Sequence, residues 1–248
     1  MTGLLRDKVC IVTGAGRGIG RAIVESFAAE GAFVYANDAR EGSVDSWLTE
    51  SKLRNQIRPL YFNITDSAGV KNALTHLKKE RQQLDVLVNN AGVEYNELIG
   101  MISRENLERM FSINVFGTIE MLQMASRLMS RQDSGGSIIN ISSLVGIRGN
   151  PGQLVYSATK GAVIALTKSA AKELASKNIR VNSIAPGLTK TEMMEAADIE
   201  KLKGRIANIS VGRIAEPSDI ARACVFFASD LSGYVSGQVL AVDGCTIM

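Results

Sequence analysis

Seven short runs of β-branched and apolar residues recur along this chain, each separated from the next by a stretch with helical spacing. The runs are Val9–Thr13, Phe33–Asn37, Pro59–Phe62, Val86–Asn89, Ser137–Ile141, Arg180–Ile184 and Val239–Val242. Between them apolar residues return on one helical face, as Ile23, Phe27 and Ala28 do after Gly20, and Met110, Phe111 and Val115 after Leu107. Strands alternating with helices call for right-handed crossovers and a parallel sheet covered on both sides. The expected fold is α/β, a doubly wound parallel seven-stranded sheet with helices on both faces. No linker rich in Pro, Gly or Ser and no repeat divides the chain, so residues 1–248 read as a single domain.

The first strand runs straight into Thr13-Gly14-Ala15-Gly16-Arg17-Gly18-Ile19-Gly20 before a helix begins. Glycines there let the backbone turn tightly and let a pyrophosphate reach the amides at a helix N-terminus. Asp38, at the end of the second strand, falls close to where a ribose-binding carboxylate is expected. It can accept hydrogen bonds from both adenosine ribose hydroxyls of NAD and would repel a 2′-phosphate, at about 4 kcal/mol for a charge pair 4 Å apart. NAD(H) is therefore the expected cofactor. Arg17 and Arg40 leave NADP(H) open, because either could supply the positive charge a 2′-phosphate needs.

Composition excludes other chemistries. The net charge of +3 on 248 residues includes no long basic run, which argues against nucleic acid. Cys10, Cys224 and Cys245 are scattered without metal-ligand or redox spacing, and read as reduced thiols. His76 is the sole histidine and lies in a charged helical stretch, so no histidine-based metal site is expected. No apolar run approaches the ~18 residues of a membrane span. Arg6, Asp7 and Lys8 interrupt the start where a leader would need apolar residues, so a cytoplasmic protein is expected.

Five motifs in order, the glycine turn among them, give the chain a family likeness. Gly14, Gly18 and Gly20 form a TGxxxGxG turn, and Asn89-Asn90-Ala91-Gly92 an NNAG motif after the fourth strand. Ser143 ends Asn140-Ile141-Ser142-Ser143, Tyr156 and Lys160 form a YxxxK pair, and Pro186-Gly187 follows the sixth strand. With these the sequence resembles the short-chain dehydrogenases/reductases over essentially its whole length. The resemblance implies a Rossmann-type NAD(P)-binding domain that moves a hydride between a nicotinamide and a carbonyl or secondary alcohol.

The spacing fits that chemistry. Four residues apart on a helix, Tyr156 and Lys160 share a face. A tyrosine titrates near ~10, and a nearby ammonium, with the positive nicotinamide when oxidised, would lower that value, so that Tyr156 could give or take the substrate proton. Ser143 would hold the substrate oxygen as charge develops on it. By resemblance, Lys160 also bonds the nicotinamide ribose, Asn114 helps hold a water that relays protons to it, and the hydride is the 4-pro-S one. Cofactor contacts are expected from Gly14, Gly16, Arg17, Gly18, Ile19, Gly20, Asp38, Asn63, Ile64, Asn90, Ala91, Gly92, Tyr156, Lys160, Pro186, Gly187, Thr189 and Thr191. The sequence departs from the family pattern at Asn63 (often aspartate), Thr189 (often isoleucine) and Cys245 (often glycine).

Within the family the chain looks most like the 3-oxoacyl-[acyl-carrier-protein] reductases, through its length, the run Arg180–Gly187 followed by Thr191-Glu192-Met193, and a terminal methionine. Those enzymes generally use NADPH, at odds with Asp38, so an NAD-linked dehydrogenase of another small alcohol, sugar or hydroxy acid stays open. A non-catalytic dinucleotide-binding regulator is the third reading. The expected partner is a small-molecule or acyl-carrier-bound carbonyl substrate, with Arg131 and Lys177 as candidate basic residues for an acidic carrier. Glu94, Tyr95, Arg148 and Gln153 are expected at the mouth, and 189–210 as a substrate lid or an amphipathic surface helix. The resemblance implies a homotetramer joined through helices at roughly 104–130 and 155–175.

Overall fold

The computed structural model describes residues 3–190, 204 and 206–247. Seven strands, β1 (Val9–Val12), β2 (Phe33–Asp38), β3 (Ile57–Tyr61), β4 (Val86–Asn89), β5 (Gly136–Ile141), β6 (Ile179–Pro186) and β7 (Val239–Val242), form one sheet. Its order is β3-β2-β1-β4-β5-β6-β7 and every neighbouring pair is parallel. All seven expected strands are present, with ends shifted by no more than two residues.

Alternation along the strands decides which helix covers which face. Cys10 and Val12, Val34 and Ala36, Val86 and Val88, and Ile139 and Ile141 point to one side. There they meet Ile23, Val24 and Phe27 of α1 (Gly18–Ala29) and Cys224 and Phe227 of α8 (Pro217–Ala228). Val9 and Ile11, Tyr35, Leu87, Ile138 and Val181 point to the other side. That side is covered by Leu74 and Leu77 of α3 (Ser67–Arg81), Met121, Ala125 and Met129 of α5 (Thr118–Met129), and Ala171 of α7 (Leu154–Leu174). Between β2 and β3 lies α2 (Asp45–Leu48), and α6 (Leu144–Arg148) follows β5.

One expectation needs correction. The stretch at 104–130 is not one continuous α-helix. α4 (Arg104–Phe111) gives way to a π-helical turn, Ser112–Gly117, before α5 begins. A wider turn there brings the buried Asn114 onto the backbone leaving β4: its Oδ1 accepts the Val93 N–H at 2.8 Å and its Nδ2 donates to the Val93 carbonyl at 2.9 Å. Hydrophobic periodicity does not reveal one extra residue in a turn, and such insertions concentrate at functional sites.

The middle of the sheet is pinned by a buried polar ladder. Asn89 Nδ2 donates to Asn140 Oδ1, Asn140 Nδ2 donates to Thr167 Oγ1 on α7 (both 2.9 Å), and the Thr167 hydroxyl donates to the Val163 carbonyl. Buried polar groups are costly once a partner is removed. Asn140→Ala is expected to destabilise the fold by about 2–4 kcal/mol, which the urea midpoint at unchanged slope would show.

Candidate active site

The C-terminal ends of β1, β2, β4, β5 and β6 open into one cleft of about 1980 Å³. Its cofactor half is built around the glycine turn. Gly14 and Gly18 hold positive φ (65° and 55°). A Cβ on Gly20 would stand 2.0 Å from the Gly14 carbonyl oxygen, and one on Gly14 2.8 Å from Ala91 Cα, so larger residues cannot be accommodated. Asn90 fastens the turn to the strand beside it. Its Nδ2 donates to the carbonyls of Thr13 and Gly14 at 2.9 and 3.0 Å, while Thr13 Oγ1 accepts the N–H groups of Asn90 and Ala91. Arg17, exposed and extended, precedes α1 without capping it, and the first turn holds no acidic side chain. That helix end suits an anion.

Asp38 sits where β2 ends, and both carboxylate oxygens accept backbone N–H groups at 3.0 Å, from Gly16 to Oδ2 and from Arg40 to Oδ1. A Cβ on Gly16 would lie 2.7 Å from that carboxylate. The carboxylate keeps lone pairs free for ribose hydroxyls. Arg40 is exposed on the same rim. Asn63 Oδ1 caps its own turn by accepting the Thr65 N–H at 3.0 Å, and Ile64 packs against Gly117. Gly187 passes within contact of Asp243, and Thr189 Oγ1 donates to the Gly187 carbonyl. These residues, with Asn90, Ala91, Gly92 and Pro186, line the cleft as the motifs lead one to expect. Thr191, and Met193, Met194, Ile199 and Leu202 of the expected lid, lie outside the described residues. The segment's end is tied down: the Ser210 N–H donates to the Cys245 carbonyl, and Asn208 and Ile209 line the cleft. Cys245 itself has φ 57°, which accounts for the glycine common at that place.

Ser143, Tyr156 and Lys160 meet in the other half. Ser142 turns inward, donating to the Ile184 carbonyl, which leaves Ser143 facing the cleft. The half-buried Tyr156 and Ser143 line the cleft together, and the Ser143 hydroxyl acts on the phenol. Lys160 is 4 % exposed, donates to the Ile141 carbonyl at 2.9 Å, and stands 5.7 Å from the tyrosine ring centre. Burial, opposed by the Glu94 carboxylate, brings its ammonium down to about 8. Without the positive nicotinamide, Tyr156 is shifted upward. Burial and then Glu94 raise it above its ordinary value, with only the Ser143 hydroxyl pulling down. The ammonium is spent on Ile141 and does not lower the phenol. Asn114 stands behind this group rather than in the cleft wall, bonded to Val93 and, through Nδ2, to Thr159 Oγ1 at 3.1 Å.

The expected mouth residues Glu94, Tyr95, Arg148 and Gln153 all line the cleft. Sequence reading did not anticipate Ser43 and Trp47 beside Asp38, or Thr246 and Ile247, reached through Arg148 Nη1 donating to the Thr246 carbonyl at 2.6 Å. No motif marks them. Arg131 and Lys177 sit elsewhere: each precedes a strand, β5 or β6, and so lies at the sheet edge opposite the cleft of its own chain. Among the described residues no group of His, Cys, Asp and Glu could hold a metal ion, and no helix is long and apolar enough to cross a membrane. His76 is exposed on α3 beside Glu80.

Comparison with known proteins agrees with this geometry. The sequence profile of a family described as enoyl-(acyl carrier protein) reductase matches residues 14–245. The chain belongs to the short-chain dehydrogenase/reductase family. It is 41% identical to a 3-oxoacyl-[acyl-carrier-protein] reductase of Thermotoga maritima, over 97% of this chain and 98% of the other. It is also 41% identical to a 3alpha-hydroxysteroid dehydrogenase of Mediterraneibacter gnavus, over 97% of each. The crystal structure of a putative gluconate dehydrogenase from Agrobacterium tumefaciens superposes with a TM-score of 0.94 at 27% identity, covering all of both chains. This short-chain dehydrogenase/reductase is an NAD(P)-dependent oxidoreductase.

Burying a charged lysine with a carbonyl as partner costs stability. A fall from 10.5 to about 8 corresponds to about 3 kcal/mol at neutral pH. Between pH 8 and 10 the unfolded chain binds the more protons at this lysine, so its penalty shrinks as pH rises. Lys160→Met is therefore expected to abolish turnover yet melt no lower than wild type at pH 7. A thermal scan at pH 7 to 10 should show the wild-type chain gaining on the variant as pH rises.

Proposed function

We propose that this chain reduces a 3-oxoacyl thioester or a closely related ketone, with Tyr156 as proton donor. One observation carries this reading: Ser143, Tyr156 and the buried Lys160 line the same cleft as the glycine turn and Asp38. The glycine cradle and the Asp38 carboxylate fit a nicotinamide dinucleotide, which when bound supplies the hydride to the carbonyl carbon. Tyr156 gives its proton to the carbonyl oxygen as that carbon gains the hydride, so ketone, hydride and proton balance to a secondary alcohol. Ser143 donates a hydrogen bond to the same oxygen as charge gathers on it. Lys160 keeps a positive charge beside the phenol and, displaced from Ile141, reaches the nicotinamide ribose. Asn114 is a positioning residue, fixing the Gly92–Val93 backbone against α7. Residues 1–248 form one domain holding both sites, in a cytoplasmic homotetramer joined through the π-helical turn, α5 and α7, where Phe116, Ile119 and Leu154 are exposed.

The relatives support the substrate class, since the Thermotoga protein is named for that reaction. A second reading, an NAD-linked dehydrogenase of another alcohol, is favoured by Asp38 at the ribose position and by the equally similar hydroxysteroid dehydrogenase. Tyr156→Phe is expected to lower reduction of acetoacetyl-coenzyme A at least about 100-fold, measured by loss of reduced-cofactor absorbance, with cofactor binding retained. In fluorescence titrations the wild type is expected to bind NADH more tightly than NADPH. Asp38→Asn should shift that ratio toward NADPH by about tenfold or more. A wild-type preference for NADPH would show that Arg17 or Arg40 outweighs the carboxylate.

A further inference from the structure

Beyond the reacting trio, the loop after β4 carries one carboxylate into the substrate half of the cleft. Gly92 marks the closest approach of that loop to the lysine, since a Cβ there would stand 3.3 Å from Lys160 Nζ. Two residues on, the half-buried Glu94 accepts a hydrogen bond from Gln153 Nε2. Gln153 is itself held, its Oε1 accepting from Asn150 Nδ2 at 2.6 Å. It immediately precedes α7, three residues before Tyr156. The backbones are joined as well, the Glu97 N–H donating to the Gly152 carbonyl at 2.8 Å. Glu94 is thus clamped between two loops in the cleft that Tyr156 lines. Its negative charge reaches both Tyr156 and Lys160.

We infer that Glu94, clamped by Gln153 beside Tyr156, makes the site a charge filter that admits neutral carbonyl or alcohol substrates and rejects those with a carboxylate next to the reacting carbon. The inference rests on Tyr156 being the proton donor. A carboxylate α or β to the carbonyl is brought close to Glu94 whenever the carbonyl oxygen reaches Tyr156 and Ser143, and both anions are then partly desolvated. Lys160 keeps its charge, but it is buried and held at the Ile141 carbonyl, while Arg17, Arg21 and Arg40 belong to the glycine-turn and Asp38 end of the cleft. Arg148 on α6 is exposed and bonded to Thr246 O, and Arg109 on α4 is exposed, so water and salt screen both. A thioester or a steroid alcohol carries no such charge beside the reacting carbon. A 2-oxo or 3-oxo acid does.

Ethyl acetoacetate and acetoacetate share the reacting ketone and differ in the neighbouring charge. Wild type is expected to favour the ester in kcat/KM. Glu94→Gln should narrow the ester-to-acid ratio by at least about tenfold, chiefly by raising the rate on the acid. Glu94→Asp, which keeps the charge, should hold the ratio near wild type. Glu94→Ala, which leaves no amide to misplace, should narrow it as Gln does, and NADH fluorescence titration checks that each variant is folded. A ratio unchanged in both Glu94→Gln and Glu94→Ala overturns the filter. Full activity in Tyr156→Phe would instead overturn the proton-donor reading, so the two fail separately.

Discussion

The pairing of β1 with both β2 and β4 is the constraint on which the site depends. The chain leaves β1, builds β2 and β3 outward on one side, then returns to lay β4 on the other. Loops leaving β1 and β4 therefore diverge above neighbouring strands, and the gap between them is the cleft. Keeping it open requires that the two loops be tied without being filled. Thr13 and Asn90 do this across the strand pair through four hydrogen bonds between side chain and backbone, while the glycines leave the cofactor's space empty. Asp38 and Lys160 both line this crevice, where they would hold the two ends of a dinucleotide.

From that crevice the catalytic half follows with little freedom. β5 delivers Ser142 and Ser143 with opposite orientations, one into the sheet and one into the cleft. α7 crosses back so that Lys160 meets the last carbonyl of β5, and one turn earlier Tyr156 meets Ser143. The Asn89–Asn140–Thr167 ladder fixes α7 against β4 and β5, so a buried polar network with partners at each step holds the helix in register. Such a network specifies one arrangement because any slip leaves donors unpaired in a dry interior.

Much of this is legible in the sequence, for identifiable reasons. Strand alternation and helix spacing are local signals, and all seven strands were readable from them. The glycine turn, Asn90, Ser143, Tyr156 and Lys160 sit in short motifs whose spacing is set by one turn or one strand end. What was not legible depends on distances across the fold. Glu94 and Gln153 are 59 positions apart and meet only because two loops run side by side. The π-helical turn at Asn114 leaves the apolar pattern almost unchanged. Arg131 and Lys177 are exposed basic residues in sequence, but only the strand directions show that they lie away from their own chain's cleft. The expectation that Lys160 lowers Tyr156 assumed a free ammonium, and the Ile141 carbonyl takes it.

That last difference bears on the direction of the chemistry. A phenol raised above its ordinary value by burial and a neighbouring carboxylate is an acid holding its proton at neutral pH. The proton is therefore present for the alcohol-forming direction, though the same shift makes the phenol a weaker acid, and lowering it again speeds transfer to a carbonyl oxygen. Oxidation of an alcohol needs the phenolate, which must be paid for against both burial and Glu94. A bound oxidised nicotinamide carries positive charge and lowers that cost, and moving Lys160 from Ile141 toward the phenol lowers it further. The position of Lys160 therefore sets how readily the phenol ionises, and the Ile141 carbonyl, a backbone group with no sequence signature, holds the ammonium where it is.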